Sequence, residues 1–258
     1  MTSHKDIQLE IDDGIAIVRL NRAAKRNALS DGLILAVRDT FQGLPDTVRA
    51  AVLDGAGDHF CAGLDLSELT ERDAGQGLHH SRMWHAALEE VQYGPVPVIA
   101  ALHGAVVGGG LELAASCHIR VADETTFYAL PEGSRGIFVG GGGAVRIPRL
   151  IGVARMADMM LTGRVYKAEE GERAGFAQYL VPTGQAFDKA VELARRVAQN
   201  APLTNYALMH ALPRIAEQPA DQGFLTEALM AAIAQSAPEA KQRVRDFLEG
   251  RAAKVGKN

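Results

Sequence analysis

The sequence predicts an α/β fold with a helical region appended at its C-terminal end, and three observations predict it. Apolar strand-like runs alternate with helix-like periodic segments through the first ~200 residues. Beyond Pro202 the chain reads as nearly all helix, interrupted at Pro219 and Pro238. Between these lies the third observation, the stretch from Val96 to Ala115. A short apolar run there enters Gly108-Gly109-Gly110 and emerges as Leu111-Glu112-Leu113-Ala114-Ala115, a good helix opening. We therefore expect an α/β core over residues 1–200 and a helical region over 201–258.

Taken in order, Ile15 to Leu20 reads as a strand entered from the turn Asp12-Asp13-Gly14. A polar, basic loop from Asn21 to Asn27 leads to Ser30, a good N-cap. Leu33, Ile34, Val37, Phe41 and Leu44 then recur at helical spacing until Pro45. Ala50 to Leu53 is a second strand, and the segment Phe60 to Leu66 follows its turn. A polar segment runs to Gly77, and His79 to Val91 reads as helix, ended by Gly94-Pro95 ahead of the central strand. His118 to Ala122 and Thr126 to Tyr128 are short strands. Ala144 to Ile151, Ala154 to Leu161, Ala168 to Ala174 and Ala186 to Asn200 are helices, with Gln178 to Val181 a strand among them.

Composition narrows the function. The 258 residues suffice for one large domain or a domain with an appendage, and 47% hydrophobic with 22% charged residues is ordinary for a soluble globular chain. A net charge of −4 with no basic block argues against nucleic acid, and the basic end from Arg251 to Lys257 reads as a frayed tail. Two cysteines, Cys61 and Cys117, without a C-x-x-C, fit a reduced, cytoplasmic setting. The N-terminus lacks a signal-peptide layout, and no apolar run is long enough to span a bilayer.

The glycines after the central strand permit close approach to the backbone, and the first helical turn offers unpaired N–H groups. Glu112 falls in that turn, where a carboxylate is expected beside those N–H groups. A plain structural turn with an acid at the helix dipole fits the stretch as well. The dinucleotide pattern G-x-G-x-x-G is not met, because Leu113 stands at its last position, and no Walker motif occurs. A second glycine turn is Ala62-Gly63-Leu64-Asp65. If the fold brings the two turns together, the amides of Leu64 and Gly109 converge on one oxygen, which stabilises charge building on a carbonyl. Glu112 and Glu132 are then the candidate acid and base, since paired carboxylates in a cleft disfavour each other's ionisation. For each the alternative is structural, a helix-end charge or a solvent-facing turn.

Other chemistries find less support. There is no G-x-S-x-G and no H-E-x-x-H. His79, His80 and His85 do not share a metal-ligating helix face, so no metal is expected. No histidine is placed by sequence to activate Cys61, which reads as a small buried residue.

In these residues the chain resembles the enoyl-CoA hydratase/isomerase, or crotonase, superfamily. The resemblance is carried by Arg19-Leu20-Asn21-Arg22 with Lys25-Arg26-Asn27-Ala28-Leu29, by Phe60 to Leu66, and by Pro97 to Ala101 leading into Gly108 to Leu113. It continues through Pro131-Glu132, Gly136, Gly142-Gly143, Arg146, Leu161-Thr162-Gly163 and Ala174-Gly175. It implies a spiral of ββα units with a C-terminal helical region that packs between subunits, as a homotrimer or a dimer of trimers. It implies an acyl-CoA substrate, with coenzyme A part of that substrate and no separate cofactor. The thioester oxygen would sit between the N–H groups of Leu64 and Gly109. Lys25, Arg26 and Ala28 would meet the CoA moiety, and Ala62, Gly63, Asp65, Leu66, Gly108 and Gly110 would line its path. Phe138, Val139 and Gly140 would border the acyl pocket.

The implied reaction is hydration of a trans-2-enoyl-CoA, with Glu112 taking a proton from water and Glu132 giving one to the α-carbon, or the two roles shared or reversed. An isomerase needing one carboxylate, or a hydratase for aryl or branched chains with retro-aldol cleavage, fits the same residues. A non-catalytic acyl-CoA-binding subunit and an RNA-binding relative are the readings from other classes; the two glutamates and the negative charge argue against them. Three positions depart from the family pattern. Ala23 and Val139 stand where proline is common, and Gly250 stands where a CoA-contacting lysine is frequent, with Arg251 next to it.

Overall fold

The computed structural model describes residues 4–68 and 70–251. The chain divides into two compact units, one ending at Ala198 and the other beginning at Gln199. The tail expected to fray, from Ala252 onward, lies outside the described residues.

The first unit is built on a six-stranded sheet ordered β1-β2-β3-β4-β6-β9. Its strands are β1 (Ile7–Asp12), β2 (Ile15–Leu20), β3 (Ala50–Gly55), β4 (Val98–Leu102), β6 (Ile119–Asp123) and β9 (Tyr179–Val181). β1 and β2 form an antiparallel hairpin; every later pairing is parallel, with Ala16 beside Ala51, Val52 beside Ile99 and Ala100 beside Arg120. β1 is a strand the sequence reading passed over, although Ile7-Gln8-Leu9-Glu10-Ile11-Asp12 alternates with period two. Every residue of β3 and β4 is buried, as expected of parallel strands covered on both faces.

The alternation of side chains sorts the sheet into two cores. Val18, Leu20, Ala51, Leu53, Ala100 and Leu102 join the larger cluster with α1 (Asp31–Gln42), α2 (Ala74–Gln92) and α3 (Gly109–Ser116). Ala50, Val52, Ile99 and Ala101 face the other way onto Ala190, Leu193 and Ala194 of α7 (Ala186–Ala198). α1 starts where Ser30 caps it, its side chain accepting from the Leu33 amide. α2 starts five residues before the expected His79, because Asp73 and Gln76 close a reciprocal capping box that outweighs the cost of Gly75 and Gly77.

A smaller sheet, β5 (Ala105–Val107), β7 (Phe127–Ala129) and β8 (Tyr166–Lys167), runs beside the first. Successive layers each send one strand to the large sheet and then a segment to the small one: β4 leads to β5, and β6 leads to β7. The segment after β3 follows the same course, since Cys61 bridges Val106 and Leu64 bridges Leu29. This spiral of strand–strand–helix units is the architecture the resemblance implies. It stacks the turn at Gly63-Leu64 directly beside the turn that ends β5.

The remaining helices of this unit are α4 (Gly143–Ile151), α5 (Val153–Thr162) and α6 (Ala168–Ala174). The second unit holds α8 (Pro202–Tyr206), a π-helical turn over Ala207–Ala211, α9 (Leu212–Ile215), α10 (Ala220–Ser236) and α11 (Pro238–Leu248). Pro238 opens α11, where a missing N–H costs nothing, so the prolines mark helix boundaries as expected. Among the described residues no helix is long and apolar enough to cross a membrane.

Candidate active site

The two glycine turns meet. Gly63 has φ +94°, open to glycine, and a side chain there would touch the Val107 carbonyl at 2.8 Å and approach the Gly109 nitrogen to 3.6 Å. Hydrogen bonds from the Leu29 amide to the Gly63 carbonyl (2.7 Å) and from the Asp65 amide to the Leu29 carbonyl (2.8 Å) pin the strand around Leu64. Among the described residues no acceptor takes the amide of Leu64 or of Gly109. Both residues line one cavity of about 390 Å³, where their unpaired N–H groups can donate to an oxygen.

Two carboxylates line the same cavity, those of Glu112 and Glu132. Glu112 is buried, and its Oε1 accepts from the amides of Gly141 and Gly143, each at 2.8 Å. Its own helix start does not hold it, contrary to expectation; the Glu112 amide donates to the Gly108 carbonyl and the side chain reaches across to the glycine run. Burial pushes the Glu112 carboxyl up, opposed by those two amides and by Arg146. Glu132 leans over Gly108, its Oε1 2.6 Å from where a Cβ would stand, while its Oε2 is buried without a partner. Burial, reinforced by the charge of Glu112, raises its pKa to about 7.

A second layer fixes the glycine run. Arg146 donates to the Gly141 carbonyl (3.0 Å) and to Gln92 Oε1 (2.6 Å), and Ser81 donates to the Gly140 carbonyl (2.6 Å). Trp84 packs beside Gly109 and Gly141, and its indole N–H donates to Asp31 Oδ1 at 3.0 Å. His80 meets the same oxygen at 2.7 Å. Asp31 sits in the first turn of α1 and has no motif around it that marks this role. Its partners lie 49 and 53 residues away, beyond any local signal.

The substrate-contact residues expected from the resemblance separate into three groups. Ala62, Gly63, Leu66, Gly108, Phe138, Val139 and Gly140 line the cavity with the glutamates. Lys25, Arg26, Ala28 and Asp65 line an adjoining cavity of about 420 Å³, which shares Ala62, Leu64 and Leu66 with the first. Gly110 lines neither; it faces Cys61, whose carbonyl and sulfur would collide with a Cβ there. Lys25 is not a free cation: its Nζ bonds Asp65 Oδ2 (2.8 Å) and Ser67 Oγ (2.9 Å), and Arg22 reaches the same carboxylate oxygen at 2.8 Å. Lys25 and Ser67 hold the Asp65 carboxyl far below the usual carboxylate range, so Asp65 ties down the Leu64 turn. Cys61 is buried, donates to the Asn27 carbonyl, and has its thiol pushed up to about 12 by burial, which makes it a poor nucleophile. Arg251 is engaged by Asp246 and Glu249. Among the described residues no group of acids, histidines and cysteines is arranged to hold a metal ion.

The family model for enoyl-CoA hydratase/isomerase matches residues 10–258. The chain belongs to the enoyl-CoA hydratase/isomerase family. Members similar to it include enoyl-CoA hydratase EchA19 of Mycobacterium tuberculosis, 33% identical over 92% of this chain and 91% of the relative. The 2,3-dehydroadipyl-CoA hydratase of Escherichia coli is 30% identical over 92% of this chain and 93% of its own. Among solved structures, a candidate enoyl-CoA hydratase from Rhodopseudomonas palustris is 61% identical with a TM-score of 0.93, covering 97% of each chain. An enoyl-CoA hydratase from Bacillus anthracis is 30% identical with a TM-score of 0.89 over 97% of this chain and 98% of that one. The fold is thus that of the crotonase superfamily, and an acyl-CoA substrate is consistent with the family.

Proposed function

We propose that the protein hydrates a trans-2-enoyl-CoA to the 3-hydroxyacyl-CoA, with CoA as part of the substrate and no separate cofactor. The observation that carries this reading is the juxtaposition of Glu112 and Glu132 with two unpaired amides in one cavity. Water attacks C3 as Glu112 takes its proton, and the C2=C3 electrons move to form an enolate on the thioester oxygen. That oxygen gains its charge between the N–H groups of Leu64 and Gly109, where donors act most strongly. Glu132, protonated near neutral pH, then gives its proton to C2. The pair works with one proton between two carboxylates, and its titration belongs to both.

Two of the relatives are named as hydratases, which supports the same reaction. The adjoining cavity at Lys25 to Ala28 is the proposed path of the CoA moiety. Exposed Phe224, Leu225 and Leu229 on α10 support a homotrimer or a dimer of trimers, and two buried thiols support a cytoplasmic setting.

The test is loss of the enoyl-thioester absorbance of crotonyl-CoA with pure protein. The reading expects that Glu112→Gln and Glu132→Gln each abolish most turnover. If both variants keep the wild-type rate, it is wrong. Retention by one variant alone, with 3-enoyl-CoA consumed, favours the isomerase; aldehyde release from an aryl enoyl-CoA favours a hydratase with retro-aldol cleavage.

A further inference from the structure

The acyl cavity, though bordered by Leu66, Ile137, Phe138 and Val139, also carries charged and polar groups. Trp84 forms a wall from Gly109 outward, and beyond its indole N–H come Asp31, His80 and Arg72. Arg72 and His80 line the cavity itself. Asp31 stands behind them with both oxygens engaged: Oδ1 by Trp84 and His80, Oδ2 by Arg72 at 3.7 Å. That separation is an ion pair without a hydrogen bond, and among the described residues the Arg72 guanidinium makes no hydrogen bond at all. A planar fork of five N–H donors therefore faces the cavity unspent. A second guanidinium, Arg135, lines the same cavity and makes no ion pair among the described residues. It also borders the adjoining cavity, whereas Arg72 lines the acyl cavity and not the adjoining one. An alkyl chain laid against these groups strips their water and returns nothing, whereas an oxygen anion is paired by them.

We propose that the acyl end of the substrate bears a carboxylate and that Arg72, oriented by Asp31, selects it, a claim that presupposes the hydratase activity proposed above. The substrate class is a 2-enoyl-CoA with a terminal carboxylate, not a plain fatty enoyl-CoA.

The experiment compares kcat/KM for trans-2-hexenedioyl-CoA and trans-2-hexenoyl-CoA, which differ only in the terminal group, with crotonyl-CoA as control. The wild-type protein is expected to favour the carboxylated ester by about tenfold or more, the worth of one charge-assisted hydrogen bond. Arg72→Gln is expected to lower the ratio of the two values by about tenfold, and Arg72→Lys to restore part of it. A merely structural loss lowers both values together and leaves their ratio alone. Turnover of crotonyl-CoA with no preference for the carboxylated ester, or a ratio unmoved in Arg72→Gln, overturns the inference and leaves the hydratase reading standing. A preference for 4-hydroxycinnamoyl-CoA over cinnamoyl-CoA without one for the dioyl ester overturns the carboxylate in favour of a hydroxyl. No turnover of any ester overturns the hydratase reading and the inference with it.

Discussion

The Glu132 carboxylate occupies the space a side chain at Gly108 would take, with Oε1 2.6 Å from that virtual Cβ. Gly108 also holds φ +53° and ψ −123°, a conformation L-residues avoid. Gly108→Ala is therefore expected to displace the proposed proton donor and cut kcat for crotonyl-CoA by about 10²-fold. Calorimetric binding of a saturated acyl-CoA should change far less, separating lost geometry from lost affinity.

Glu112 serves two ends through different oxygens. Glu112→Gln keeps a carbonyl oxygen for the amides of Gly141 and Gly143 while removing the base. Turnover should fall by roughly 10²–10⁴-fold with no loss of stability. Glu112→Ala leaves both amides buried and unpaired, and urea denaturation should show an added loss of about 1–3 kcal/mol.

The raised pKa of Glu132 sets a pH signature. The folded state holds this proton more tightly than the unfolded chain does, so ionisation opposes folding. The cost is absent below the ordinary carboxyl value of 4.5, grows above it, and levels off beyond about 7. Wild-type stability should decline across that window relative to Glu132→Gln, read from urea midpoints on either side. In wild-type kinetics, kcat/KM should fall as pH rises through about 7, where the donor loses its proton.

Asp65 carries the opposite sign. Its carboxyl is held low by Lys25, Ser67 and Arg22, so the stabilisation is present above the ordinary carboxylate pKa and is lost as pH falls below it. Asp65→Asn should cost about 1–3 kcal/mol at neutral pH. It should also lower kcat by loosening the turn that carries Leu64, as crotonyl-CoA hydration and urea denaturation at neutral pH would register.

What could be read from the chain was local. Ser30 announced α1, the glycines at Gly108 to Gly110 announced a turn into α3, and Pro219 and Pro238 marked helix boundaries. The hairpin strand Ile7–Asp12 carries the period-two alternation of a strand, but at an edge where only Ile7 is buried its apolar signal is weak. The candidate site was legible as a set of residues and not as an arrangement. That Glu112 answers to Gly141 and Gly143, that Lys25 is spent on Asp65, and that Trp84 hangs from Asp31 all depend on contacts 29 to 53 residues apart. No periodicity or cap encodes contacts of that length. The Ser81 anchor on the glycine run is hidden for the same reason, bonding across 59 residues to a loop with no side chains of its own.

The amides proposed to hold the oxygen, at Leu64 and Gly109, belong to the main chain, placed by the stacking of one spiral layer on the next. No exchange of a side chain deletes an N–H group short of introducing proline. On the proposed mechanism, a lineage carrying this scaffold is free to swap the acids at 112 and 132, or the cation at 72, while the pair of amides is inherited intact. New reactions on such a frame would begin with a place for a charged oxygen already built, and only the proton traffic would have to be reinvented.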